Sequence, residues 1–257
     1  MKQVLAPIVS VTGVSSGFHL MWLDSPEIAS ESRPGQFVMV RCGEETTLRR
    51  PLSIHQVDDG KVAFLFSVIG KGTRWLSRRQ AGDKLDISGP MGNGFSIYPA
   101  SQELLLVGGG IGIAPLCYLA QEALRKGCRI TLLAGAQTAA CLYPERMLPA
   151  EINVACATDD GTTGKMGMIT GLLPDYADRA DQVFACGPLP MYRTMAQMPE
   201  LKDKPVQVSL EMRMGCGRGV CYGCTLKTQN GLKLVCEHGP VFEMGDILWD
   251  ELPPALV

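Results

Sequence analysis

Leu104-Leu105-Leu106-Val107-Gly108-Gly109-Gly110-Ile111-Gly112-Ile113-Ala114-Pro115 is the stretch on which the fold turns. Its four leading apolar residues have the length and composition of a strand buried on both faces. The glycines permit a tight turn, and the residues that follow, to about 126, carry an apolar pattern of helical period. Strand, glycine turn and helix in this order bring backbone amides toward a pyrophosphate at a helix N-terminus. The strict G-x-G-x-x-G form is absent, because Ile113 stands where the third glycine counted from Gly108 would be. Nor does an acid close the second strand, where Gly135-Ala136-Gln137 follows. A tight βα turn without a ligand is the competing reading of the same residues.

Downstream the pattern repeats. Short apolar runs at 104–107, 130–134, 153–157 and 182–185 predict parallel strands, with helices at 114–126, 167–173 and 191–198 between them and a last strand at 206–211. The methionines of 191–198 read as helix packing. Upstream the period changes to short β-rich runs at 17–24, 36–42, 52–57, 61–68 and 84–88, with one helix at 73–80. Strands spaced by turn residues in this way predict an antiparallel barrel or sandwich, of which the barrel is the expectation taken forward. Gly89-Pro90-Met91-Gly92-Asn93-Gly94 marks the change. The expected fold class is therefore a β-barrel (1–98) followed by an α/β domain (99–211) and a cysteine-rich segment (212–257).

Composition limits the function classes. Over 257 residues, Lys+Arg 24 against Asp+Glu 26 gives a net charge of −2, without the basic surplus of a nucleic-acid binder. Hydrophobic residues at 46% and charged residues at 19% suit a packed, folded chain. The opening Met1-Lys2-Gln3-Val4-Leu5-Ala6-Pro7 lacks an apolar signal core, and no run reaches a membrane span of about 18 apolar residues. A cytoplasmic location without membrane attachment is expected, and with it few disulfides. Cys42, Cys117, Cys128, Cys141, Cys156 and Cys186 are scattered and read as small buried hydrophobes. The three histidines, His19, His55 and His238, belong to no metal or nucleophile constellation.

The other four cysteines crowd together. Cys216, Cys221, Cys224 and Cys236 are spaced C-x4-C-x2-C-x11-C, and the first three match the plant-type [2Fe–2S] pattern. Thiolates are soft ligands suited to iron–sulfur. Gly215, Gly217, Gly219 and Gly223 let the loop curl and free backbone N–H groups to tune a cluster. A structural zinc site, which usually shows two C-x2–4-C knuckles, is the rival reading. Inert core cysteines are a third.

In the barrel, Pro34-Gly35-Gln36-Phe37 precedes Arg50-Pro51-Leu52-Ser53. An arginine here can pair with a pyrophosphate and a neighbouring hydroxyl can bond a flavin ring, although an edge-strand proline beside a solvated Arg49-Arg50 pair would look alike. Taken in order with Gly70-Lys71-Gly72-Thr73, Gly89-Pro90-Met91-Gly92-Asn93-Gly94-Phe95, the glycine turn 108–115 and Cys186-Gly187-Pro188, these motifs resemble the ferredoxin reductase superfamily. With the cysteine segment and Val235-Cys236-Glu237-His238-Gly239-Pro240-Val241-Phe242, the resemblance covers almost the whole chain.

The resemblance implies an electron-transfer oxidoreductase subunit with FAD, a [2Fe–2S] cluster and NAD(H) as substrate. It implies Arg50 on the FAD phosphates, Leu52 and Ser53 beside the isoalloxazine with Pro51 also at the cofactor, Val68 and Ile69 lining the flavin, and the Gly72-Thr73 backbone at the pyrophosphate. Ser67 stands where the superfamily often has a basic residue. Gly108, Gly109, Gly110 and Gly112 would hold the nicotinamide nucleotide, and Cys186, Gly187 and Pro188 would lie where it meets the flavin. Asp159-Asp160-Gly161 reads as a turn and would line the dinucleotide cleft by analogy. Cys216, Cys221, Cys224 and Cys236 would be the cluster ligands, and an FMN-containing catalytic subunit the partner, two copies of each. No arginine cluster follows the second strand to grip a 2′-phosphate, which tilts the expectation from NADP toward NAD.

Overall fold

The structure, a computed structural model, describes residues 1–252. The first part is a closed six-stranded antiparallel barrel in the order β1-β2-β5-β4-β3-β6. Its strands are β1 (Lys2–Ser15), β2 (Phe18–Asp24), β3 (Phe37–Val40), β4 (Arg50–Asp58), β5 (Lys61–Ser67) and β6 (Lys84–Met91). Two short helices interrupt them, α1 (Pro26–Ala29) and α2 (Lys71–Ser77). Alternating residues point inward, so Ile8, Met21, Leu23, Val38, Ile54, Phe64 and Ile87 pack a common interior.

β1 was not among the strands expected from the sequence. Its exposed residues mix polar Lys2, Gln3 and Thr12 with apolar Leu5, Pro7 and Val9, and it serves two partners in turn: Lys2–Pro7 pair with β6, and from Ile8 onward the strand pairs with β2. Pro7, which has no N–H, sits where the partner changes. This strand closes the barrel and removes its edges.

The second part is a seven-stranded sheet in the order β10-β9-β8-β7-β11-β12-β15. It is built from β7 (Glu103–Gly109), α3 (Ile113–Arg125), β8 (Arg129–Ala136), β9 (Asn153–Thr158), β10 (Lys165–Met166), α4 (Leu173–Tyr176), β11 (Gln182–Cys186), α5 (Leu189–Ala196) and β12 (Val206–Ser209). The helix expected over 167–173 is instead a 3₁₀ turn, Ile169–Leu172, leading into α4, with Pro174 in its first turn. The strand expected over 206–211 ends at Ser209, so Leu210 and Glu211 lie beyond the sheet.

After β12 the chain forms the cysteine loop, a hairpin of β13 (Thr225–Thr228) and β14 (Gly231–Leu234), the short helix α6 (Val235–His238), and β15 (Val241–Glu243). β15 returns to pair antiparallel with β12, Ser209 opposite Val241. Cys224, Leu226, Val235 and Cys236 share one apolar core with Phe37, Met39 and Met91 of the barrel and Val208 of the sheet. Of the scattered cysteines, Cys42, Cys117, Cys128 and Cys186 are buried and Cys141 and Cys156 half-buried, as small apolar residues would be. No described helix is long and apolar enough to cross a membrane.

Candidate functional site

The barrel opens where two of its strands part. Over Arg50–Ser53 β4 is paired only with β3, and its pairing with β5 begins at Ile54. Pro51 is tolerated here because the strand has one unpartnered edge. The opening is a cleft of about 270 Å³ lined by Arg50, Pro51, Leu52, Ser53, Ser67, Ile69 and Thr73 from the barrel. Ile111 and Ala114 from the glycine turn and α3, and Met214 and Pro240 from the cysteine segment, complete the walls. Arg50 donates Nη1 to the Leu48 carbonyl at 2.7 Å, leaving the rest of its fork available for an anion.

Gly72 lies under that arginine. A Cβ there would come 3.2 Å from Arg50 Nε and 3.3 Å from Cys42 Cβ, so the missing side chain lets the guanidinium approach the backbone at the start of α2. Thr73 Oγ1 accepts the backbone N–H groups of Ile69 (3.0 Å) and Gly70 (3.3 Å) and fixes this loop. Arginine, backbone amides and a narrow apolar slot suit a flavin dinucleotide. Of the residues expected here, Val68 and Gly72 are not in the cleft wall; Gly72 acts through its backbone and its lack of bulk.

A second cleft, of about 440 Å³, lies outside the carboxyl ends of the parallel strands, where α/β sheets bind ligands. Gly109, Gly110, Ile111 and Gly112 line it together with Gln137, Asp159, Gly187, Pro188 and Glu211. A Cβ on Gly112 would collide with the Cys186 carbonyl oxygen, so two βα turns meet at van der Waals contact only because glycine stands there. Gly108 sits beneath the turn against Ile113 and Leu116 rather than in the wall. Cys186 likewise ends its strand buried, and burial holds its thiol protonated, well above the ordinary range. The Gly187 N–H donates to Tyr192 Oη (2.8 Å), whose hydroxyl donates to the Ser209 carbonyl (2.6 Å), tying this turn to β12.

Ile111 and Glu211 line both clefts, so the two share a wall. Neither was singled out from the sequence. Glu211 could have been, because it stands just past the carboxyl end of a buried strand, where ligands to such sheets bind. Solvent reaches its side chain through the clefts, but the protein crowded round the carboxyl disfavours the charged form and raises its pKa.

The four expected cluster ligands come together. The Cys221 N–H donates to the Cys216 sulfur and the Cys236 N–H to the Cys224 sulfur, so the four cysteines fall into two neighbouring pairs. Among the described residues no three His, Cys, Asp or Glu side chains converge as ligands of a single ion. Two thiol pairs side by side would suit a two-iron cluster, which four thiolates hold. Backbone N–H groups already point at the sulfurs: Arg218 (3.3 Å) and Cys221 (3.4 Å) at Cys216, Gly219 (3.2 Å) at Cys236, and Cys236 (3.4 Å) at Cys224.

Burial pushes the Cys216 thiol up, but the N–H groups of Arg218, Cys221 and Val220 outweigh it and bring it down to about 6. Burial carries Cys236 up to about 12. Gly217 and Gly219 adopt positive φ, and a Cβ on Gly217 would press on Met39 of β3, so the loop sits directly against the barrel. His238 is exposed and accepts the Leu234 N–H at Nδ1 (3.1 Å), a local turn contact.

Comparison with known proteins agrees with this geometry. The family model of the iron–sulfur cluster binding domain of dihydroorotate dehydrogenase B matches residues 211–248. The "Dihydroorotate dehydrogenase B (NAD(+)), electron transfer subunit" of Desulforamulus reducens is 38% identical over 95% of this chain and 98% of its own. That of Clostridium acetobutylicum is 39% identical over 86% and 88%. A solved structure of NADH-dependent reduced ferredoxin-NADP oxidoreductase superposes with a TM-score of 0.89 at 30% identity, covering 98% of this chain and 93% of that one. A ferredoxin reductase of carbazole 1,9a-dioxygenase, at 21% identity and a TM-score of 0.71, shares the fold. Barrel, nucleotide sheet and paired thiols thus occur here in a chain that matches its relatives nearly end to end, and it belongs to the family of electron transfer subunits of NAD-dependent dihydroorotate dehydrogenase B.

Proposed function

We propose that this chain passes electrons between an FMN-containing, dihydroorotate-oxidising catalytic subunit and NAD+, a step of de novo pyrimidine (UMP) biosynthesis. When bound, FAD exchanges a hydride with the nicotinamide and single electrons with a [2Fe–2S] cluster, and so changes the electron count. The observation that carries the reading is the sharing of walls. Ile111 and Glu211 belong to both clefts, while Met214 and Pro240 belong to the flavin cleft and flank the thiol segment. The three sites therefore stand in series at short range.

The chain's own residues divide the work. Arg50 and the Gly72-Thr73 backbone hold the FAD pyrophosphate; Pro51, Leu52, Ser53, Ser67 and Ile69 surround the ring, with Val68 behind that wall. Gly109, Gly110 and Gly112 bring backbone to the nucleotide phosphates and Gly187 and Pro188 shape the end that meets the flavin, while Gly108 and Cys186 pack beneath these turns. Cys216 and Cys221 hold one iron, and Cys224 and Cys236 the other. In this division 1–98 is the flavin unit, 99–211 the nucleotide unit and 212–257 the cluster unit, the last returning β15 to the nucleotide sheet.

Val220 and Tyr222, 74% and 70% exposed, stand in the thiol loop beside the exposed Cys221. Apolar side chains left in solvent next to an electron-transfer centre support docking of the catalytic subunit there. Two copies of each subunit form the assembly, and unpaired cysteines fit a cytoplasmic setting.

The test is the visible spectrum and the iron, sulfide, zinc and flavin content of anaerobically purified protein, before and after NADH. One FAD and two irons per chain, bleached by NADH, support the reading; zinc without flavin would overturn it. Mixing with the catalytic subunit then separates this function from service to another partner, since only the cognate pair couples dihydroorotate oxidation to NAD+ reduction.

A further inference from the structure

The second strand of the nucleotide sheet closes on Gly135-Ala136-Gln137, without the acid that commonly receives the adenosine ribose of NAD. An acid nevertheless reaches the same place from the next strand. Asp159 follows β9, which lies parallel to β8 with Thr158 opposite Ala136. The Asp159 N–H donates to the Ala136 carbonyl (3.1 Å) and the Asp160 N–H to the Gln137 carbonyl (3.3 Å). The two strand ends are thereby locked together, and Gln137 and Asp159 both face the nucleotide cleft.

Strand order fixes which half of a dinucleotide lies there. Asp159 is two strands from β7 on one side and Glu211 two strands away on the other. With the pyrophosphate at the glycine turn after β7, the nicotinamide must point to the side that shares a wall with the flavin cleft, the Glu211 side. The adenosine half then lies toward Gln137 and Asp159.

The two acids of the turn are not equivalent. The Asp160 carboxylate is committed to Thr162, accepting its backbone N–H (3.0 Å) and its hydroxyl (2.7 Å). The Asp159 carboxylate accepts no hydrogen bond from any described residue and faces the cleft. Among the described residues no lysine or arginine lines that cleft, and Lys165, the cation nearest in sequence, is turned to the Gly171 carbonyl (2.6 Å) and Asp175 (3.4 Å). A ribose 2′-hydroxyl can donate to a carboxylate in this position, whereas a 2′-phosphate would meet a like charge with no cation to offset it.

We infer that Asp159, seated by β8 beside Gln137, is the residue that selects NAD over NADP in this chain. The inference rests on the proposed function in taking this cleft as the nicotinamide nucleotide site. The test is calorimetric titration of the flavin-loaded chain with NAD+, NADP+, 5′-AMP and 2′,5′-ADP, for wild type, Asp159→Asn and Asp159→Ser. The two adenosine probes report on this end of the cleft without any redox reaction. Removing the charge is expected to shift the NADP+ to NAD+ affinity ratio, and the 2′,5′-ADP to 5′-AMP ratio, toward the phosphorylated ligand by about tenfold. Because each ratio is measured on one protein sample, loss of folded protein cancels. Unchanged ratios in both variants would overturn the assignment of Asp159. Wild-type protein that bound neither NAD+ nor 5′-AMP would instead remove the nucleotide reading of the cleft.

Discussion

The imidazole of His55 reaches from the barrel to Tyr143 of the nucleotide domain, with Nε2 3.0 Å from the phenolic oxygen. Its other nitrogen lies 2.8 Å from the Ala114 carbonyl at the start of α3. A carbonyl can only accept, so Nδ1 carries the proton and Nε2 accepts from the tyrosine hydroxyl. One neutral histidine thus stitches the flavin-side strand β4 to the helix that begins at the glycine turn.

This stitch makes stability depend on pH. Burial pushes His55 from 6.5 down to about 4, so between these values the unfolded chain binds a proton that the folded one excludes. The contribution is complete above pH 6.5 and is lost as pH falls toward 4, amounting to about 3 kcal/mol in all. Thermal unfolding should therefore show a falling midpoint from pH 7 to pH 5, and His55→Gln should flatten that slope while lowering the midpoint at pH 7. A slope unchanged in the variant would assign the pH dependence elsewhere.

Glu211 should distinguish oxidised from reduced nucleotide. Only NAD+ brings a positive ring to the wall shared by the two clefts, and an ionised carboxyl there favours it. Glu211→Gln is expected to weaken NAD+ about three- to tenfold and leave NADH nearly unchanged. Because burial raises this carboxyl, the wild-type preference fades as pH falls through the elevated pKa, and the variant shows no such trend. Dissociation constants for both nucleotides across pH would decide it.

Replacing Cys221 with Ser removes one sulfur of the Cys216 pair. NADH should still bleach the flavin of this variant, while electron passage to the catalytic subunit falls to background and the iron content drops. Coupling preserved at the wild-type rate would exclude Cys221 as a ligand.

Val220→Glu together with Tyr222→Lys tests the docking face. Both side chains are largely in solvent, so folding and flavin content should be unaffected. Association with the catalytic subunit, followed by analytical ultracentrifugation, should weaken at least about tenfold. Unaltered association would move the interface away from the thiol loop.

The glycine turn and the thiol spacing were legible in the sequence because each is a local pattern whose chemistry demands particular residues at fixed intervals. What joins the sites was not. β1 escaped notice because its pairing with β6 and β2 is settled by distant strands rather than by its own residues, of which only Ala6 and Ile8 are buried. Ile111 and Glu211 look ordinary along the chain and become a shared wall only when β7 and β12 are placed in one sheet. Asp159 read as half of a turn, and only the parallel register of β8 and β9 shows which of the two acids is committed to that turn. Cys186, with a plausible place at the nicotinamide, ends its strand facing the interior.

The rung between Ser209 and Val241 has a further consequence. Everything from Leu210 to Pro240, thiols included, departs from and comes back to one pair of neighbouring residues, whose Cα atoms in an antiparallel ladder stand about 5 Å apart. The excursion is topologically a cassette, pinned at its neck by the sheet and not by the metal it carries. The two ends are held by β12 and β15 at a point outside the thiols, so loss of the cluster is expected to leave the flavoprotein body folded.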